Sequence, residues 1–249
     1  MDMNTRELSK NNSNEHEPMP QGFSIAIDGP VASGKGTLAT ALAERIGGFY
    51  INTGAMYRAV ALLSLERGID INNEAEVNIV LPDTRIEFKD NDVFLNGRDI
   101  TERITKPDIS HGSSVVAIYG SVRKDLVRKQ QQMAKDAIDE GKTVIAEGRD
   151  TGTKVFPNSA LKIFLTARPE VRALRRTIQY QEKGINKEAH EVLGDLKMRD
   201  ERDMNREIDP LPSNPSSLGY YILDNSNQTE EESLDSIITE LKRRGLIHD

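Results

Sequence analysis

Cysteine is absent from all 249 residues. That excludes a disulfide, a thiol nucleophile and any cysteine-ligated metal centre. The four histidines are scattered, too few to build a structural zinc site. No apolar run approaches the ~20 residues needed to cross a bilayer. The N-terminus lacks the apolar core of a secretory signal. With no address and no span, the expected setting is cytoplasmic, without a membrane partner. A basic excess is missing as well. The net charge is −7 and aromatics make up 5%, which argues against both a polynucleotide clamp and a base-stacking platform. The arginines are nevertheless clustered, and a locally basic site in an acidic chain suits a small polyanion. Hydrophobic content of 37% and charged content of 29% are ordinary for a globular protein. The length allows one large domain, or one domain carrying an insert.

The most informative run is IAIDGPVASGKGT, residues 25–37. An apolar strand feeds a glycine-rich turn, a lysine and a helix, the G-x-x-x-x-G-K pattern from Gly29 to Lys35. Gly29 and Gly34 can take backbone angles closed to other residues, so the turn can wrap an anion. The N–H groups of Gly29, Pro30, Val31, Ala32, Ser33, Gly34, Lys35, Gly36 and Thr37, proline excepted, are the candidate phosphate cradle. The helix N-terminus adds its dipole, and Lys35 adds a point charge for β- and γ-phosphates. Gly36 stands where the strict pattern wants a hydroxyl, which appears one residue later at Thr37. That GKGT ending resembles nucleoside monophosphate kinases more than GTPases or motor ATPases.

Strands and helices alternate along most of the chain, which implies a parallel sheet covered on both faces, with ligand beyond the carboxyl ends of its strands. Residues 1–21 are polar and read as a disordered tail. Strands are expected at 23–28, 49–51, 143–147, 161–165 and 220–224. Helices are expected at 35–46, 53–67, 109–119, 121–139, 169–182, 187–205 and 229–244. Three proline residues mark 208–217 as a loop. Between them, 73–111 reads as an inserted lobe of three short antiparallel strands, punctuated by Asp90-Asn91 and Asn96-Gly97. The remaining 22–72 and 112–249 form the core.

Three further clusters bear on a second phosphate. Thr53 follows the second strand, where it can cap the helix, and Arg58 lies over the cleft on that helix. Arg149 and Asp150 follow a buried strand in EGRDTG, whereas the same GRD at 97–99 reads as a plain turn. Arg199, Arg202, Asp203 and Arg206 fall within roughly one 100° arc of a helix, on the side of Val192 and Leu196. Converging guanidiniums repel unless an anion lies among them. Arg172, Arg175 and Arg176 lie opposite Val171, Leu174 and Ile178, which leaves open a solvated face or a reach to adenine or phosphate. Phosphoryl transfer needs in-line placement, positive charge around the moving group and exclusion of water, and an arginine-rich helix closing over nucleotides would serve.

GPVASGKGT, NTGAMYR, SVRKDLVRKQ, AEGRDTGTKVFP, KIFLTA and RDERDMNR, in that order, resemble the bacterial cytidylate kinase family over residue 23 to the C-terminal helix. The resemblance implies a P-loop kinase core of α/β class with a five-stranded parallel sheet. It also implies a three-stranded CMP-binding lobe at 73–111 and a lid at about 175–187. The implied reaction takes ATP with Mg²⁺ and CMP or dCMP to ADP and the diphosphate, the Mg²⁺ arriving with ATP rather than in a protein metal site. By the same matching, Thr53, Arg58, Ser114, Arg123, Arg149, Asp150, Arg199 and Asp203 bind the monophosphate. Lys35, Arg149, Arg199 and Arg206 act on the transferred group, and Arg175 belongs to the ATP side. Asn52 and Thr53 stand where aspartate and serine are common. Nothing demands more than a monomer. Another P-loop kinase, for adenylate or shikimate, a regulatory nucleotide-binding module and an RNA-binding protein are the competing readings.

Overall fold

The computed structural model describes residues 22–248; the expectation for residues 1–21 lies outside them. A five-stranded parallel sheet runs in the order β2-β6-β1-β7-β8. Its members are β1 (Ser24–Asp28), β2 (Phe49–Asn52), β6 (Val144–Gly148), β7 (Leu161–Thr166) and β8 (Tyr221–Asp224). Each is apolar and short, as befits strands buried on both faces. Alternate side chains of β6 supply two cores. Val144 and Ala146 join Ile51, Met56, Val60 and Leu126 on one face. Ile145 joins Ile25, Ile27, Leu38, Leu42, Leu234 and Ile237 on the other.

The first core is covered by α2 (Thr53–Glu66) and α5 (Gly120–Asp139), and the second by α1 (Lys35–Ile46) and α8 (Glu230–Arg243). Helix α1 matches its expected bounds and stops at Gly47, whose φ of 63° only glycine takes freely. The cap of α2 differs from expectation. Asn52, not Thr53, accepts the Ala55 N–H (2.8 Å), which releases the Thr53 hydroxyl to donate to the Glu147 carbonyl (2.7 Å).

The 73–111 stretch holds the expected antiparallel sheet: β3 (Ile86–Lys89), β4 (Asp92–Leu95) and β5 (Arg98–Asp99). One feature there was not foreseen. Helix α3 (Glu74–Val80) precedes the sheet, its N-terminus capped by the Asn73 side chain (3.1 Å to Ala75 N–H). The helix expected at 109–119 is present as α4 (Pro107–Val116), starting two residues earlier because Pro107 is preorganised for a first helical turn. Val77, Val80, Ile86, Val93, Leu95 and Ile100 share one core with α2, so the insert packs on the same apolar face. Arg98 is exposed and paired with Glu66 (2.6 Å) outside the cavity; of the first GRD only Gly97 lies in the turn, Arg98 and Asp99 forming β5.

Two long helices, α6 (Pro169–Glu182) and α7 (Ala189–Asn205), cross between β7 and β8. The α6 wheel is inverted relative to the solvated-face alternative. Leu174 and Ile178 are 58% and 46% exposed, while Arg172 is only 5% exposed. All five parallel strands end on one edge, and the loops that leave them converge there.

Candidate active site

The convergence point is the crevice between β1 and β6, where strand order reverses. Asp28, the last residue of β1, bridges it. Its buried carboxylate accepts from the Thr151 N–H (2.8 Å), the Gly152 N–H (2.7 Å) and the Tyr220 hydroxyl (2.7 Å). The carboxylate thereby ties the turn after β6 to the loop after β1. Burial and the Asp28 charge hold the Tyr220 hydroxyl protonated far above its usual range.

Gly29 opens the loop at φ 153°; a Cβ there would lie 2.0 Å from the Leu165 carbonyl oxygen, so only glycine fits. Ala32 and Gly34 take φ of 58° and 94°. Three carbonyls of the loop are held from behind by side-chain donors. Lys35 Nζ donates to Pro30 O (2.8 Å), Arg172 to Val31 O (2.9 Å) and Asn225 to Ser33 O (3.1 Å). The N–H groups from Ala32 to Thr37 have no acceptor among the described residues. Val31 is different, because its N–H donates to Asp200 (3.0 Å). Val31, Ala32, Gly34, Lys35, Gly36 and Thr37 line a cavity of about 830 Å³; Gly29, Pro30 and Ser33 stand behind its wall.

Lys35 is 5% exposed. Burial, reinforced by the charge of Arg149, pushes its ammonium down to about 7. Opposite it, the same cavity is lined by Thr53 and Arg58 of α2, Ser114 of α4 and Arg123 of α5. Arg149 and Asp150 reach it from the end of β6, Arg175 and Arg176 from α6, and Arg199, Arg202, Asp203 and Arg206 from α7 or its end. Every residue expected on the acceptor side thus meets in one hollow.

Some of these charges are paired and some are not. Arg149 Nε binds Asp203 (2.7 Å). Burial alone would raise the Asp203 carboxyl, but Arg149 holds it below its ordinary value. Arg123 is held at three points, by Asp150, by Asp209 (3.1 Å) and by the Ala117 carbonyl (3.2 Å). Arg206 adds a contact to Asp150 (3.3 Å) and donates to the Asp209 carbonyl (2.6 Å). Burial nonetheless leaves the Asp150 carboxyl above its usual range. Arg58 has no hydrogen-bond partner among the described residues. Burial lowers its pKa, Arg176 and Arg149 add to the lowering, and Glu147 opposes it. Arg199 has only Ser110 Oγ, at 3.5 Å. Burial, then repulsion from Arg149, Arg58 and Arg176, push it down to about 10. Guanidiniums gathered without enough counter-charge are matched to an anion.

Several residues that build the site escaped the sequence reading. Asp28 carried one signal, an acid ending the apolar run IAID. Asn225 holds both the loop and Arg175 (2.9 Å), and Asp200 and Asp209 anchor arginines. None of these last three has a local pattern.

A phosphate-cradling loop facing an arginine-lined hollow on a parallel α/β sheet defines the P-loop kinase class. A family model described as Cytidylate kinase matches residues 25–243. Cytidylate kinase from Thermotoga maritima is 42% identical over 224 residues, spanning 90% of this chain and 98% of that one. The Bacillus cytotoxicus cytidylate kinase is 39% identical, spanning 88% and 96%. A solved structure of an uncharacterized protein from Eubacterium ventriosum aligns with a TM-score of 0.50 at 15% identity, covering 89% of this chain and 98% of that one, a likeness of fold alone. The chain belongs to the cytidylate kinase family and is thereby a phosphotransferase of the nucleoside monophosphate kinase class.

Proposed function

We infer that the protein transfers the γ-phosphoryl group of ATP to CMP or dCMP, releasing ADP and CDP or dCDP. The carrying observation is one cavity with Lys35 and free loop N–H groups on one wall and the under-compensated Arg58 and Arg199 on the other. Such a hollow suits two phosphate-bearing ligands meeting end to end. The loop and Lys35 cradle the donor's phosphates, and Arg175 belongs to the donor side. Arg58, Arg149 and Arg199 receive the acceptor phosphate, while Arg199, Arg206, Arg149 and Lys35 offset charge on the moving phosphoryl group. Bringing donor and acceptor in line contributes most of the rate, since the protein has little covalent chemistry to do.

The Arg123–Asp150 pair and Ser114 offer donors and acceptors side by side. Cytosine presents an amine donor next to a ring nitrogen and a carbonyl, so it can pair with that set. Uracil reverses the donor pattern and would leave polar groups unpaired. Asp203 and Asp150 bear on sugar and base, and Thr53 completes the acceptor wall. The 73–111 insert serves as the acceptor lobe and about 175–187 as the lid that excludes water.

Among the described residues, no three His, Asp or Glu side chains gather as a metal cage. The lining fits a Mg²⁺ that keeps its waters and binds through substrate phosphates. Thr37 is the hydroxyl that would hold it, and when bound it neutralises phosphate charge. No helix among the described residues is long and apolar enough to cross a membrane, in keeping with a cytoplasmic enzyme. All the residues invoked lie on one chain, so a monomer suffices.

The test is ADP formation by the purified protein. We expect release that depends on added CMP, with ATP alone turned over slowly. In Arg149→Ala the CMP-dependent rate falls about 100-fold or more. Equal ATP turnover with and without CMP would refute transfer to an acceptor.

A further inference from the structure

The loop that cradles phosphate is gripped by a buried ion pair from the two helices beyond it. Asp200 of α7 accepts the Val31 N–H through Oδ1 (3.0 Å) and Arg172 through Oδ2 (2.6 Å). The same Arg172 nitrogen donates to Val31 O (2.9 Å), and its Nε donates to Ala167 O (3.0 Å) just past β7. Both main-chain polar atoms of Val31 are therefore held, from residues 169 and 141 positions away. Around them Val31, Ala173, Val192 and Leu196 form a small apolar cluster that belongs to neither sheet core. Arg172 and Asp200 are 5% and 7% exposed, so neither charge is screened by water.

We propose that Arg172 and Asp200 are positioning residues for the donor-phosphate loop, fastening it to the α6–α7 hairpin. Asp200 turns the Val31 N–H away from the cavity, and Arg172, by holding Val31 O, fixes the 31–32 peptide and with it the Ala32 N–H, at the left-handed residue that starts the run of free N–H groups. A loop held at its third residue presents its donors without having to order them on binding. The same grip divides the hairpin. Its base, through Arg172 and Ala173 on α6 and Val192, Leu196 and Asp200 on α7, moves with the loop, so closure is left to the tip between them. Neither side chain touches the cavity, and their hydrogen bonds run to Val31, to Ala167 and to each other, not to a residue of the acceptor wall. This inference rests on the kinase reading for its kinetic consequence but not for its binding consequence.

Removing one charge would strand the other in the interior. The primary variant is therefore the double replacement Arg172→Met/Asp200→Leu, which keeps the volume apolar. Asp200→Asn, which retains an acceptor for Val31 N–H, is the conservative companion. ATP binding is measured by calorimetry on the full chain, without acceptor, and KM for ATP and CMP by coupled assay. The double variant is expected to lose roughly tenfold in ATP affinity, about 1.4 kcal/mol. KM for ATP should rise in parallel while KM for CMP changes by less than about twofold. Asp200→Asn should fall between. Unchanged ATP affinity in a folded double variant overturns the proposal, as does equal weakening of both substrates. If the double variant does not fold, Asp200→Asn decides alone, and wild-type ATP affinity there counts against the grip. Failure of the kinase reading would appear instead as absent CMP turnover in the wild type with ATP binding intact.

Discussion

Lys35 should take up a proton when ATP binds. Before binding, its ammonium is buried beside Arg149 and hydrogen-bonded to Pro30 O and Ser33 Oγ; burial and then the Arg149 charge outweigh the opposing charges of Glu147, Asp28 and Asp203, and its pKa is about 7 against a usual 10.5. At pH 8 about one molecule in ten then carries the proton. A triphosphate against Nζ restores the ordinary value or higher, so nearly every molecule carries it after binding. The uptake is about 0.9 proton at pH 8, about half at pH 7 and close to zero below pH 6. Affinity should accordingly fall nearly tenfold per unit of pH from about 8 upward to the ordinary lysine range. The sign for stability is the opposite. Between about 7 and 10.5 the unfolded chain binds this proton and the folded chain does not, so the Lys35 contribution to stability rises with pH across that window. Titration calorimetry with ATP at pH 8, in two buffers of different ionisation enthalpy, reads the uptake from the difference in observed heat. Lys35→Met should bind weakly and without buffer dependence. Identical heats for the wild type in both buffers would mean that Lys35 takes up no proton on binding.

Other predictions follow from single features. Arg199→Met removes a half-buried guanidinium held among like charges; the melting temperature should rise by about 2–4 °C while turnover falls about 100-fold or more. A lower melting temperature would contradict the repulsion. In Gly148→Ala the new methyl group would sit 2.5 Å from both Thr53 Oγ1 and Thr151 Oγ1. The expected loss is about 1–3 kcal/mol of stability, read by urea unfolding, with reduced turnover as Arg149 shifts; wild-type values in both would sink it. Gln130 is fully buried in α5, and neither amide atom has a partner among the described residues. Gln130→Met should raise stability by about 1–2 kcal/mol, and a lower urea midpoint would show that the amide is satisfied after all.

Local signals carried far into the fold. The P-loop, α1 and the alternation of strands and helices were legible because each is written in consecutive residues: glycines where the chain turns, apolar runs where it is buried. The arginine arc of α7 was legible from periodicity, since Val192 and Leu196 marked its inner side. The α6 wheel was not. Arg172 is inward because Asp200, 28 residues on, neutralises it, while Leu174 is left 58% exposed. Helix α3 was missed because Glu74 to Val80 is short and lies beside a stronger strand pattern. Thr53 was given the cap that Asn52 provides, a choice between neighbours that sequence alone leaves even. Asp28, Asp209 and Asn225 act through partners 50 to 192 positions away, and pairings of that span leave no local trace.

The central claim is that the arginine wall opposite the loop admits a cytidine monophosphate. The direct measurement is kcat/KM of the purified protein with ATP and each of CMP, dCMP, UMP, AMP and shikimate. CMP or dCMP is expected to be the best acceptor, with UMP well behind and AMP and shikimate inert. AMP or shikimate as the preferred acceptor would contradict it.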